Sequence, residues 1–112
     1  EKSTVKLLQQ VGMPNARLRV NLKEEVLNAW GKDEIDFLFD ANKSNRFESI
    51  DKVASGGELS RLMLCIKSLV AANTQLPTMV FDEIDTGISG EAARQVGLLL
   101  QQLSKKHQVI VI

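Results

Sequence analysis

The chain has 112 residues, 44% of them hydrophobic and 25% charged, which suits one small domain with a modest core. Its 14 Lys and Arg residues balance 14 Asp and Glu residues, so no global positive charge marks it for nucleic acid or an anionic membrane, and any DNA contact must be local or lie outside this segment. One cysteine, Cys65, excludes an internal disulfide and fits a reducing cytosol, and no apolar run approaches the roughly 20 residues of a membrane-spanning helix.

Residues 3–11 place Val5, Leu7 and Leu8 on one side and read as the last turns of a helix that begins upstream, stopped by the turn signal Gly12-Met13-Pro14-Asn15. Residues 16–22 alternate apolar and polar side chains, with Ala16, Leu18, Val20 and Leu22 on one face, the period of a half-buried strand. Ile35, Phe37 and Phe39 repeat that alternation over 34–40, and an antiparallel pair is the simplest arrangement. Residues 23–33 between them read as a connection, with room for one helical turn around Val26, Leu27 and Trp30. Residues 42–52 are polar and aperiodic, an exposed loop leading to a glycine pair.

From Glu58 onward, Leu59, Leu62, Met63, Ile66, Leu69 and Val70 fall three and four apart, predicting a helix to about Ala72 with this stripe inward. Cys65 lies next to that stripe and reads as a small packed thiol. Gln75-Leu76-Pro77 ends the helix, and Met79-Val80-Phe81 is a short apolar run of the kind found in a strand covered on both faces. Ser89-Gly90-Glu91 opens a second helix, with Ala93, Val96, Leu100 and Leu103 inward and Lys105, Lys106 and His107 as cations near its end. Residues 109–112 are a second buried strand. Strand, helix, strand is a βαβ unit with parallel strands and a right-handed crossover.

Two motifs carry chemistry. Ser55-Gly56-Gly57-Glu58 opens a helix; a capping box explains the serine and glutamate, but two glycines at a cap cost backbone entropy and are what close approach of a phosphate to backbone N–H groups requires. The strand at 78–82 delivers Asp82 and Glu83 to its carboxyl end, where open parallel sheets bind ligands. A hard Mg²⁺ ion suits a carboxylate such as Asp82 beside phosphates, and Glu83, projecting differently, suits a general base for the attacking water. Asp85-Thr86-Gly87, directly after, suits a tight loop near a nucleotide or a second subunit. Together these read as part of an ATP site. The Gly-x-x-x-x-Gly-Lys-Ser/Thr loop that would hold the β- and γ-phosphates is missing, and the chain opens on Glu1 and closes within an apolar strand, so the expectation is a segment of a longer protein.

Val53-Ala54-Ser55-Gly56-Gly57-Glu58-Leu59-Ser60-Arg61 resembles the signature motif of ATP-binding-cassette ATPases, residues 78–83 resemble their Walker B strand, and residues 85–90 stand in the place of the D-loop. Glu58, with Asp82-Glu83-Ile84-Asp85, looks like the chromosome-maintenance and repair branch, and Asp82-Glu83-Ile84-Asp85-Thr86-Gly87-Ile88-Ser89-Gly90 with Gly12-Met13-Pro14-Asn15-Ala16 is most like the RecN family of bacterial DNA-repair ATPases. The resemblance implies an α/β fold, the C-terminal lobe of a P-loop ATPase head: residues 1–12 would end a coiled-coil helix, and 13–112 would form the lobe. It implies ATP and Mg²⁺ as cofactors, Asp82 on the metal, Glu83 as the base, and Ser55, Gly56, Gly57 and Glu58 on the γ-phosphate held by an opposing head. It implies as partners the N-terminal lobe, a second copy of the head and, through the full-length protein, DNA, in the bacterial cytoplasm and without a membrane. The segment alone is then expected to be inactive. The loop 43–46 is poorer in glycine and proline than that family leads one to expect. A transporter's nucleotide-binding subunit and a nucleotide-gated interaction module without useful turnover are the competing readings.

Overall fold

In a computed structural model, which describes residues 1–53, 56–71, 73–74 and 76–112, the order of elements is α1 (Lys2–Gln10), β1 (Arg17–Asn28), β2 (Gly31–Asp40), β3 (Glu48–Ser49), a 3-10 turn at Ile50–Lys52, α2 (Gly56–Ala71), β4 (Thr78–Phe81), α3 (Gly90–Ser104) and β5 (Gln108–Val111). β1, β2 and β3 form an antiparallel sheet in that order, and β4 and β5 pair in parallel. The fold is mixed α/β, with a βαβ unit preceded by an antiparallel pair, as the hydrophobic pattern predicts.

Leu18 faces Phe39, Val20 faces Phe37 and Leu22 faces Ile35, so the alternating residues of both strands share one face. That face is buried only at its inner end: Leu18 and Phe39 are covered, whereas Leu22 is 71% exposed. The hairpin runs on beyond the predicted strand, and residues 23–33 are neither a loose connection nor a helical turn. Lys23 stands opposite Glu34 with their charges 3.9 Å apart, Lys32 lies 2.7 Å from Glu24 and offsets the like charge of Asp33 opposite it, and Asn28 Oδ1 accepts the Trp30 N–H at 2.8 Å to close the turn. Gly31 supplies a φ of +121°, out of reach for most side chains. Cross-strand charge pairing replaces hydrophobic alternation here, and a local period does not register it.

The 42–52 stretch is likewise more ordered than a plain loop, since β3 pairs with the end of β2 and the 3-10 turn follows at once. Leu8, Val11, Met13, Leu62, Leu64 and Cys65 are at the centre of the core, where α1 packs on α2 and its trailing turn meets α3. Gly12, at φ +87°, lets that turn approach: a Cβ there would stand 3.0 Å from Ala92 Cβ.

α2 buries a different stripe from the predicted one. Gly57, Arg61, Leu64 and Cys65 join Leu62 in the interior, while Leu59, Met63 and Leu69 are half-buried and Val70 is 45% exposed. Residues 62–66 are apolar without interruption, so the period is degenerate and the neighbouring elements select the face. Cys65 is thus inside the stripe, not beside it. β4 is covered on one face only, with Met79 and Phe81 in and Val80 out, and β5 leaves Ile110 and Val111 exposed. α3 begins at the predicted Ser89-Gly90 and buries Val96 and Leu103, with Ala93 and Leu100 half-buried. His107 does more than end a helix: its Nδ1–H donates to the Leu76 carbonyl at 2.7 Å, tying the α3–β5 turn to the residues before β4. Among the described residues, no helix is long and apolar enough to cross a membrane.

Candidate functional site

β4 ends at Phe81, and the chain then delivers Asp82 and Glu83 into solvent, both side chains exposed. The parallel ladder continues past the strand, since the Ile112 N–H donates to Phe81 O at 2.9 Å and the Glu83 N–H to Ile112 O at 3.1 Å, so the position of Glu83 is set by backbone bonding. Glu83 has φ +54°, a left-handed conformation uncommon outside glycine, Asn and Asp, and such residues cluster where a site fixes a side chain's direction. Ile84 is 1% exposed and plugs the loop into the core beneath. Thr86 N–H donates to Glu83 O at 3.2 Å and Ile88 N–H to Asp85 O at 3.3 Å, closing two successive turns with Gly87 at φ +74°. Asp85 and Thr86 stay exposed on this loop.

The start of α2 lies directly against it. A Cβ on Gly56 would stand 2.5 Å from Glu83 Oε2, and one on Gly57 would stand 2.9 Å from the Thr86 carbonyl, so neither position has room for a side chain without movement of its neighbour. Arg61, one turn along α2 and 5% exposed, donates from Nη1 to Thr86 O at 2.7 Å and to Ile84 O at 3.4 Å. Burial lowers the Arg61 pKa, opposed chiefly by the charge of Glu58. Glu58 is half-buried in the first turn. Ser55 lies outside the described residues. The structure therefore brings Gly56, Gly57, Glu58, Glu83 and the 84–87 loop together, with Asp82 one residue before Glu83.

The sequence pattern did not single out Arg61 for any role. The available signal was a cation four residues after Gly57 on a helix face otherwise apolar, which requires a specific partner. Cys65, 0% exposed on the same face, has its thiol pushed up to about 12 by burial, with Arg61 opposing, so it stays protonated and is no nucleophile.

Among the described residues, no salt bridge engages Asp82, Glu83 or Asp85, and no cluster of three or more His, Cys, Asp or Glu side chains could by itself hold a metal ion. Free carboxylate oxygens suit Mg²⁺, which takes one or two carboxylates and completes its shell with water and phosphate, so the donor set fits a shared metal and not an all-protein cage. Clefts of the described surface open elsewhere, beside Pro77 and His107 and at the hairpin tip.

No protein-family model matches the chain. In sequence it is 45% identical over 106 residues to DNA repair protein RecN of Aquifex aeolicus, covering 95% of this chain, and 43% identical over 113 residues to RecN of Rickettsia typhi, covering all of it. RecN of Haemophilus influenzae is 40% identical over 107 residues. The chain spans only 20%, 20% and 19% of those three proteins' own lengths. In structure, the Smc head domain of Pyrococcus furiosus, solved bound to the C-terminal domain of ScpA, aligns with 99% of this chain at TM-score 0.67 and 22% identity, using 27% of its own length. The Smc head of Pyrococcus yayanosii aligns with 99% of this chain at TM-score 0.66 and 23% identity, using 20% of its own length. The fold is that of part of an SMC-type ATPase head.

Proposed function

From its sequence relationship to RecN along nearly its whole length, we propose that the chain is part of an ATP-hydrolysing protein of bacterial DNA double-strand break repair, working in the cytoplasm. Residues 1–12 end a coiled-coil helix and 13–112 form the C-terminal lobe of its ATPase head. The N-terminal lobe, carrying the phosphate loop, covers the open face of β4 and β5, where Val80 and Ile110 stand side by side and exposed.

One observation carries the assignment of the site: the carboxylate of Glu83 lies beside the bare backbone of Gly56, so this acid and the helix start meet at an exposed place. Asp82, with water, would hold Mg²⁺, and the ion would supply positive charge to offset that of the phosphates. Glu83 orients the attacking water and takes its proton. The α2 N-terminus, with Ser55, Gly56, Gly57 and Glu58, presents N–H groups and the positive end of the helix dipole to the γ-phosphate of nucleotide held by a second copy of the head. Asp85, Thr86 and Gly87 line the seam between the two copies. Each copy thus supplies half of two sites, and ATP closes the dimer.

In the full-length parent, Glu83→Gln should slow ATP turnover about 100-fold or more, in the range of lost general-base catalysis, while nucleotide binding measured by calorimetry is retained. Undiminished turnover would remove Glu83 from the role of base.

A further inference from the structure

We propose that Arg61 is a positioning residue that locks the loop carrying Glu83 to the phosphate-facing start of α2, so that the two half-sites a single head supplies move as one body. The inference rests on the function proposed above and adds a coupling element to it.

Arg61 is 5% exposed, and of the acceptors its guanidinium reaches, two are backbone carbonyls of one loop: Thr86 O at 2.7 Å and Ile84 O at 3.4 Å. Its Nε is buried without a hydrogen-bond partner among the described residues. Placing a cation here is costly, and an apolar side chain of similar volume would serve packing better. What the guanidinium adds is direction: both bonds leave the one nitrogen Nη1, whose two N–H groups lie in the fixed plane of the group and meet carbonyls at two points of one turn.

Gly57 completes the lock. A Cβ on it would stand 3.1 Å from Arg61 Nη1 and 2.9 Å from Thr86 O, so the bare backbone makes room for the guanidinium to reach the loop. Thr86 N–H in turn donates to Glu83 O at 3.2 Å, which carries the restraint to the residue proposed as base. When the amides of α2 take up a phosphate from the neighbouring head, any shift of the helix start passes through Arg61 to the 84–86 loop and to Glu83. The neighbour's nucleotide is thereby sensed at the head's own water-activating residue.

The test uses the full-length parent with Arg61→Gln, Arg61→Lys and, as reference, Glu83→Gln. Steady-state kinetics are read together with hydrogen exchange at the Thr86 and Ile88 amides. Arg61→Gln should lower kcat at least about tenfold with KM for ATP within about twofold, because misplacing a catalytic group by an ångström costs that much or more. Exchange at Thr86 and Ile88 should quicken while the Leu62 and Leu64 amides in mid-helix hold their rates. Arg61→Lys, which keeps the charge but not the fixed plane, should recover part of both. A kcat within twofold of the parent, or exchange raised equally throughout α2, overturns the coupling role. If Glu83→Gln retains turnover, the proposed function falls while the exchange data still judge the lock; if Glu83→Gln is inactive and Arg61→Gln is not, only the lock falls.

Discussion

Asp40 ends β2 and Asp82 follows β4, yet the first turns its carboxylate into its own loop while the second leaves it to solvent. Asp40 Oδ1 accepts the N–H groups of Asn42 and Ser44 at 3.2 and 3.1 Å and the Ser44 hydroxyl at 3.1 Å, and Oδ2 accepts the Asn45 N–H at 3.0 Å. Arg17 adds an ion pair at 3.6 Å. Burial would raise the Asp40 pKa, but the bonds from Ser44, Asn42 and Asn45 outweigh it and hold the carboxyl below its ordinary value. They also hold Lys43 and Asn45 at φ +56° and +62°, conformations where glycine would be expected, which is how a loop poor in glycine makes this path. Among the described residues, the 82–87 loop uses no carboxylate for its own support. Backbone bonds, Ile84 and Arg61 shape it, and its acids remain available. A carboxylate that organises its own turn is spent structurally; one that does not can meet a metal or a water.

The sharpest test of that contrast is a pair of alanine variants. Asp40→Ala removes the shared acceptor of four hydrogen bonds and should lower Tm by several degrees, whereas Asp82→Ala should leave Tm unchanged and weaken Mg²⁺-dependent nucleotide binding by the parent. Equal losses of stability would erase the distinction. The pH dependence follows with a definite sign: a carboxyl lowered on folding stabilises the fold above its unfolded pKa, and that stability is lost as pH falls through the lowered value. The amides of Asn42, Ser44 and Asn45 should therefore lose exchange protection on acidification ahead of Thr86 and Ile88, whose acceptors are carbonyls.

Next in size, Gly57→Ala drives a methyl against Thr86 O and Arg61 and should cost about 1–3 kcal/mol as an overpacked contact, measured by denaturant unfolding. On the same face of α2, Cys65 makes alkaline pH destabilising. Its thiol is raised to about 12 in the fold, so the stability it confers is full below the unfolded thiol's pKa and falls by up to about 1.4 kcal/mol per pH unit above it. Native protein at neutral pH should also resist thiol reagents. Smallest is Gly87→Ala, at about 1 kcal/mol, because φ +74° strains an alanine but nothing among the described residues within 4 Å obstructs its methyl.

Much of this was legible in the chain itself. Gly56, Gly57, Asp82 and Glu83 stand out by residue type and by their places at a helix start and a strand end; the antiparallel pairing follows from two alternating runs and the parallel one from two short apolar runs with a helix between them. The hairpin beyond Leu22 was not legible, because charges opposed across two strands hold it and no period within either strand records that. Nor was the role of Asp40, which depends on the path the next five residues take.

The sequence by itself determined the kinds and order of the elements, since helical and strand periods are written within a few consecutive residues and the turns between them by glycine and proline. The tertiary structure alone decided which face of α2 is buried, that Gly56 meets Glu83, and that Arg61 reaches across 25 positions to Thr86. Those are contacts between segments distant in the chain, and they exist only once packing has excluded water and set α2 beside the end of β4.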